Sequence, residues 1–189
     1  MKRITVFCGS STGTDDVYKS QAALLGQTLA EKGIELVFGG GKVGLMGVVA
    51  DGALHKGGKV IGVIPDFFKI RNVVHERLTE LIWVDGMHER KKRMNELCDG
   101  VIALPGGYGT LEEFFEMLTW GQLGLHNKPV ALLNTNGFYD PLIALVQSMV
   151  AKGFLKEVNQ QLLIVSDNIN DLLDKMINYM PPSAGKWIR

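Results

Sequence analysis

Short apolar, β-branched runs alternate with longer helical patterns along this chain, and that alternation constrains the fold more than any other feature. The runs are ITVFC (4–8), IELVF (34–38), KVIGVI (59–64), LIWV (81–84), GVIAL (100–104), PVALL (129–133) and LLIV (162–165). Helical periodicity fills most of the gaps, at 16–32, 44–57, 87–98, 110–123, 139–152 and 168–179. Strands that are apolar throughout and separated by helices belong to a parallel sheet covered on both faces. The pattern predicts an open, doubly wound α/β fold of about seven strands, mostly parallel and flanked by helices. At 189 residues the chain fits one domain, taken as 1–180, with PPSAGKWIR (181–189) as a tail that frays or packs on a partner.

Charge and cysteine content narrow the function classes. Lys+Arg and Asp+Glu number 20 each, so no net field draws the chain to nucleic acid or membrane, and any anion must be held by a local site. Cys8 and Cys98 are the two cysteines, which suits a reducing compartment and supplies neither a disulfide framework nor a metal spacing. His55, His75, His88 and His126 show no ligand spacing either. The apolar run after MKR is too short for a signal peptide, and no stretch approaches the roughly 20 apolar residues that cross a bilayer. The expectation is a cytoplasmic protein.

Glycine loops fall after strands: CGSS (8–11), FGGGKVGLMG (38–47) and LPGGYGT (104–110). In a parallel sheet such loops share the carboxyl edge, where open α/β folds bind ligands. Gly39 to Gly44 also match G-x-G-x-x-G, with Asp66 about 20 residues on, as in a dinucleotide site. Against an NAD site, this motif follows the second strand, and a hydride-transfer reading leaves LPGGYGT and the carboxylates behind it unexplained. There is no Walker A motif, and no lysine motif specific for pyridoxal phosphate.

Two helices carry charge where an apolar stripe should run. In MHERKKRMNELC, Arg90 and Lys91 share the stripe of Met87, Met94, Leu97 and Cys98, while Lys92 and Arg93 point away. Either Arg90 and Lys91 snorkel out along their stems, or they reach a ligand cleft where a guanidinium can grip phosphate or ribose oxygens. In the helix after Gly109, Leu111, Phe114, Phe115 and Leu118 form the apolar stripe, with Glu113, Glu116 and Trp120 opposite. Thr110 and Glu113 have capping-box spacing, so Glu113 is open to two readings, a helix cap or a catalytic carboxylate beside an anion loop. Trp120 implies that its face is covered by another element or subunit. Glu112 is assigned to solvent.

Pro105 to Glu113, PGGYGTLEE, resembles the PGGxGTxxE signature of the Lonely Guy (LOG) family, long labelled lysine decarboxylases. FCGSS, VFGGGKVGLMG, the Met-His-Glu-Arg-Lys run at 87–91 and TWGQLGLHNKPVALLN (119–134) are similar to that family in the same order. The resemblance implies a Rossmann-like homodimer that hydrolyses the N-glycosidic bond of an adenine-type nucleoside 5′-monophosphate, either a cytokinin riboside monophosphate or AMP. It implies Arg90 and Glu113 as the catalytic pair, with no cofactor and no metal. Gly9, Ser10, Gly41, Gly44, Met46, Met87, Lys91, Gly106, Gly107, Gly109, Thr110 and Glu116 would bind substrate, with the site completed across the dimer. The competing expectation is a non-catalytic nucleotide or molybdenum-cofactor carrier built on the same loops.

Overall fold

The computed structural model describes residues 1–182; the expectation for the tail falls largely outside them. Seven strands, β1 (Arg3–Phe7), β2 (Glu35–Phe38), β3 (Val60–Pro65), β4 (Glu80–Val84), β5 (Gly100–Ala103), β6 (Val130–Leu133) and β7 (Leu163–Ser166), form one sheet. Its order is β4-β3-β2-β1-β5-β6-β7, and every pairing is parallel. The chain builds outward from β1 in one direction, then returns to add β5 on the other side. The crevice at the carboxyl edge between β1 and β5 is therefore the topological switch point.

The helices are α1 (Asp16–Glu31), α2 (Gly44–His55), α3 (Met87–Leu97), α4 (Tyr108–Gln122), α5 (Asp140–Ala151), the single turn α6 (Glu157–Gln160) and α7 (Ile169–Ile177). They cover both faces, which is why the strands read as unbroken apolar runs. In β1, Ile4 and Val6 join the core under α1, α2 and α7, whereas Phe7 joins the core under α3 and α4. The polar member of β1, Thr5, is fully buried on the second face and donates its hydroxyl to Met94 O at 3.1 Å. α1 and α2 pack almost backbone to backbone, because a Cβ at Gly26 would lie 2.8 Å from Ala53 N.

Predicted and observed elements agree to within a residue or two, apart from α6, which the periodicity did not reveal, and the start of α4. The capping box fails. α4 begins at Tyr108 with Gly107 as its N-cap and no side-chain cap, so Thr110 and Glu113 lie inside the helix. The buried stripe of α4 is Thr110, Glu113, Phe114 and Met117, at i, i+3, i+4, i+7 spacing and offset from the predicted one. Glu113 therefore lies on the buried face, and Trp120 packs in part on the chain's own core.

Candidate active site

Three glycine loops meet at the switch point. Gly9 N–H donates to Pro105 O at 3.0 Å, joining the loop after β1 to the loop after β5, and Leu45 N–H donates to Gly9 O at 3.0 Å, joining α2 to both. These contacts leave no room for side chains: a Cβ at Gly106 would come within 2.8 Å of Gly9 N. Gly44 adopts φ +60° and abuts the backbone of Ser10 and Ser11, so it needs glycine on two counts. Gly107 and Gly109 differ, since a Cβ on either would meet nothing within 4 Å. Their bareness leaves open space over the first turn of α4.

A cavity of about 480 Å³ opens there. Gly9, Ser10, Gly41, Met46, Met87, Arg90, Gly107, Gly109, Thr110 and Glu113 line it, so most of the residues named from sequence converge. Gly44 and Gly106 support the walls, and Gly106 belongs to an adjoining cavity of about 290 Å³ rimmed by Ser10, Ser11 and Thr12. Lys91 and Glu116 do not line the main cavity. The segment after β3, a 3₁₀ turn (Asp66–Arg71) and the stretch beyond, covers the glycine loop of β2. Lys42 N–H donates to Val73 O at 2.7 Å and His75 N–H to Gly40 O at 2.9 Å, which brings Phe68 and Val73 to the cavity wall. Beneath this segment, the His75 ring lies 3.2 Å from Asp51 Oδ1, and Arg77 donates to the same oxygen.

At the cavity's base Arg90 Nη1 donates to Glu113 Oε1 at 2.8 Å, and Arg90 Nε donates to Val63 O at 3.0 Å. Both side chains are nearly buried, exposed by 12% and 10%. Arg90 reaches inward from the first turn of α3, so the cleft-directed reading of the stripe holds for it, while Lys92 and Arg93 face solvent or lie half-buried. Burial pushes the Glu113 carboxyl above the ordinary glutamate range; Arg90 opposes the rise, and Glu112 and Glu116 add to it. Cys8 also faces the cavity, with its thiol raised by burial and by the Glu113 charge. Lys91, only 8% exposed, donates to Glu112 and, at 3.0 Å, to Glu116. Burial works against its charge, but those two bonds outweigh it and hold the ammonium above its usual range. Glu112, assigned to solvent, is thus half-exposed but paired.

Sequence reasoning did not find Gly39. A Cβ there would strike Arg90 Nη2 and sit 3.2 Å from Cζ, so this glycine makes room for the guanidinium. Nothing local signals it, because the partner comes from α3. The ribose-acid candidate Asp66 lies at the surface, 2.8 Å from Lys69 Nζ. Among the described residues no group of three His, Cys, Asp or Glu side chains could hold a metal ion, and no helix is long and apolar enough to cross a membrane.

Residues 46–176 match the protein family described as possible lysine decarboxylase. The cytokinin riboside 5′-monophosphate phosphoribohydrolase LOG of Oryza sativa subsp. japonica is 48% identical over 181 residues, covering 95% of this chain and 74% of that protein. A cytokinin riboside 5′-monophosphate phosphoribohydrolase of Arabidopsis thaliana is 45% identical over 181 residues, covering 95% of this chain and 84% of its own length. Among solved structures, the molybdenum cofactor binding protein from Rippkaea orientalis superposes with a TM-score of 0.70 at 25% identity, covering 94% of this chain and 99% of that one. The molybdenum cofactor carrier protein of Chlamydomonas reinhardtii gives 0.72 at 22% identity, with 94% and 99% covered.

Proposed function

This chain belongs to the LOG family of cytokinin riboside 5′-monophosphate phosphoribohydrolases, and from that premise we propose that it hydrolyses the N-glycosidic bond of an adenine-type nucleoside 5′-monophosphate to free base and ribose 5-phosphate. It is a hydrolase acting on N-glycosyl bonds. The observation that carries the residue assignments is the nearly buried Arg90–Glu113 pair beside the uncapped first turn of α4. Free N–H groups at a helix N-terminus, reinforced by the helix dipole, suit a phosphate. Gly9, Ser10, Gly106, Gly107, Gly109 and Thr110 surround that phosphate in this scheme. Met46 and Met87, with Phe68 and Val73, form the apolar wall for the base, and Gly41 and Gly44 shape the loop beneath it.

The chemistry follows from charge. As the bond between C1′ and the base nitrogen breaks, positive charge builds on the sugar, and an adjacent ionised carboxylate stabilises it. Glu113 takes a proton from water while the water oxygen bonds to C1′; the departing nitrogen keeps the bonding pair and takes a proton from solvent, and Glu113 returns its own proton to solvent when the products leave. Arg90 holds Glu113 in place and orients it. Anchoring the phosphate supplies remote binding energy that is spent at the reacting carbon. We further assign the active form to a homodimer, on the strength of exposed Leu123, Leu125 and Phe154. Sedimentation at a single protomer mass would remove that assignment.

Purified protein incubated with AMP or isopentenyladenosine monophosphate should release base and ribose 5-phosphate, quantified by chromatography. Glu113→Gln should lower turnover by about 10²- to 10⁴-fold while the fold survives. Full activity in that variant would demote Glu113 to a structural acid. The likeness to the molybdenum cofactor binding protein keeps a carrier reading in play. Nucleotide or cofactor bound without any cleavage over long incubation would favour it.

A further inference from the structure

The first three turns of α4 carry three carboxylates, and α3 sets two adjacent cations against them. The pairing is segregated. Arg90 is committed to Glu113 and to Val63 O. Lys91 is committed to Glu112 and Glu116, which flank Glu113 along the helix. Two of its three N–H donors are spent there, and it does not line the cavity, although Glu112 does. A lysine that gripped the substrate phosphate would have to direct its ammonium into the cavity instead.

We propose that Lys91 is a positioning residue of this site: it draws Glu112 and Glu116 toward α3 and offsets their charge, so that Arg90 stays paired with Glu113 alone. The proposal rests on the reading of the site as a phosphoribohydrolase. The groups that act on Glu113 are Arg90 and Lys91 from α3, Glu112 and Glu116 from its own helix, and the neutral thiol of Cys8 beyond β1. With Lys91 gone, two carboxylates of like sign stand uncompensated beside Glu113, and Glu112 becomes free to compete for the Arg90 guanidinium. Both effects disfavour the ionised carboxylate that the reaction needs.

The test is Lys91→Met, assayed with AMP across pH, alongside a Glu112→Gln/Glu116→Gln double variant and the triple combination. In Lys91→Met the acid limb of the rate profile should move up by roughly one pH unit. On the acid side of the limb its kcat should fall by about tenfold, with KM within about threefold of the parent. The double variant, which retains Lys91, should move the limb down, and the triple variant should recover most of the lost kcat. A KM rise of about tenfold or more with an unmoved limb would instead assign Lys91 to direct substrate binding. If Lys91→Met does not fold, the double variant decides: an acid limb that stays put or moves up sinks the proposal. The Glu113 carboxyl is also titrated by ¹³C NMR, which needs no turnover. A Glu113 midpoint that rises in Lys91→Met supports the positioning role even if the parent releases no base; an unchanged midpoint in an active parent overturns the role and leaves the activity standing.

Discussion

Gly39→Ala separates the catalytic geometry from the fold. Gly39 lies outside the left-handed region, so its backbone accepts alanine without strain. The obstacle is Arg90: the new methyl would overlap Nη2 and sit 3.2 Å from Cζ, with Met46 Sδ next at 3.4 Å. The guanidinium is the far end of a flexible side chain and can retreat. It must move by about 1 Å or more to restore contact distance, and a misplacement of that size costs on the order of 10²-fold in rate. That loss corresponds to about 2.7 kcal/mol of transition-state stabilisation. Stability should change by less than this. Loosening the bond to Val63 O costs about 1–3 kcal/mol, since the donor is charged, and glycine-to-alanine restriction of the unfolded chain returns about 0.4–1. A net loss of about 1–2 kcal/mol lowers Tm by roughly 2–8 °C for a chain of this size. The assay pairs base release from AMP with thermal unfolding. Activity within about threefold of the parent would show that the Arg90 position does not govern the rate, and the catalytic assignment of the pair would fall with it.

Gly44→Ala should do the opposite, because its obstacle is the backbone of Ser10 and Ser11 and its φ is +60°: a loss of about 3 kcal/mol or more, seen as a Tm drop of roughly 6–12 °C or as failure to fold. The acid limb of the parent's rate profile should lie above the ordinary glutamate range, because burial raises Glu113 and the ionised form is the active one. Linkage gives the same group a second readout. A raised carboxyl contributes stability below its unfolded pKa and loses it as pH rises through the folded one. The Tm of the parent relative to Glu113→Gln should therefore fall across that window; a flat difference would contradict the shift. Asp51→Asn weakens the partner of His75 and Arg77 beneath the covering segment. Hydrogen exchange at the Lys42 and His75 amides should accelerate, and KM should rise several-fold with kcat little changed, whereas protection equal to the parent's would show that the clamp is held elsewhere.

The sheet was legible because its signal is repeated and local. Every strand is buried on both faces or stands at an edge beside helices, so each reads as a short apolar run between turn residues. The loops at the carboxyl edge were legible for a related reason: parallel connectivity alone brings the residues after β1, β2 and β5 to one edge. What stayed hidden depends on contacts between elements distant in the chain. Gly39 is a glycine because of an arginine on α3, and α6 is too short for its period to show. Lys91 reads as a ligand-gripping cation until its two carboxylate partners on α4 are seen.

Glu113 shows how far one local rule can mislead. Thr110-Leu111-Glu112-Glu113 has capping-box spacing, and such a box would leave Glu113 at the helix rim, reaching back to backbone N–H. The helix instead starts three residues earlier than the box requires, where Gly107 can serve as an N-cap without a side chain. With the helix already formed at that point, Thr110 and Glu113 lie on one buried stripe with Phe114 and Met117. A carboxylate so placed is costly unless it is paired, and Arg90 from α3 meets the need. The same shift withholds a side-chain cap from the first turn of α4, leaving its N–H groups available to an anion. A conventional cap would satisfy one of those donors and hold the carboxylate at the rim. Replacing Gly107 with serine should therefore add a competing side-chain oxygen at the N-cap and raise KM for AMP, with Tm unchanged or higher. An unchanged KM would mean that the phosphate is held elsewhere, and the adjoining cavity at Ser10, Ser11 and Thr12 would become its assigned place.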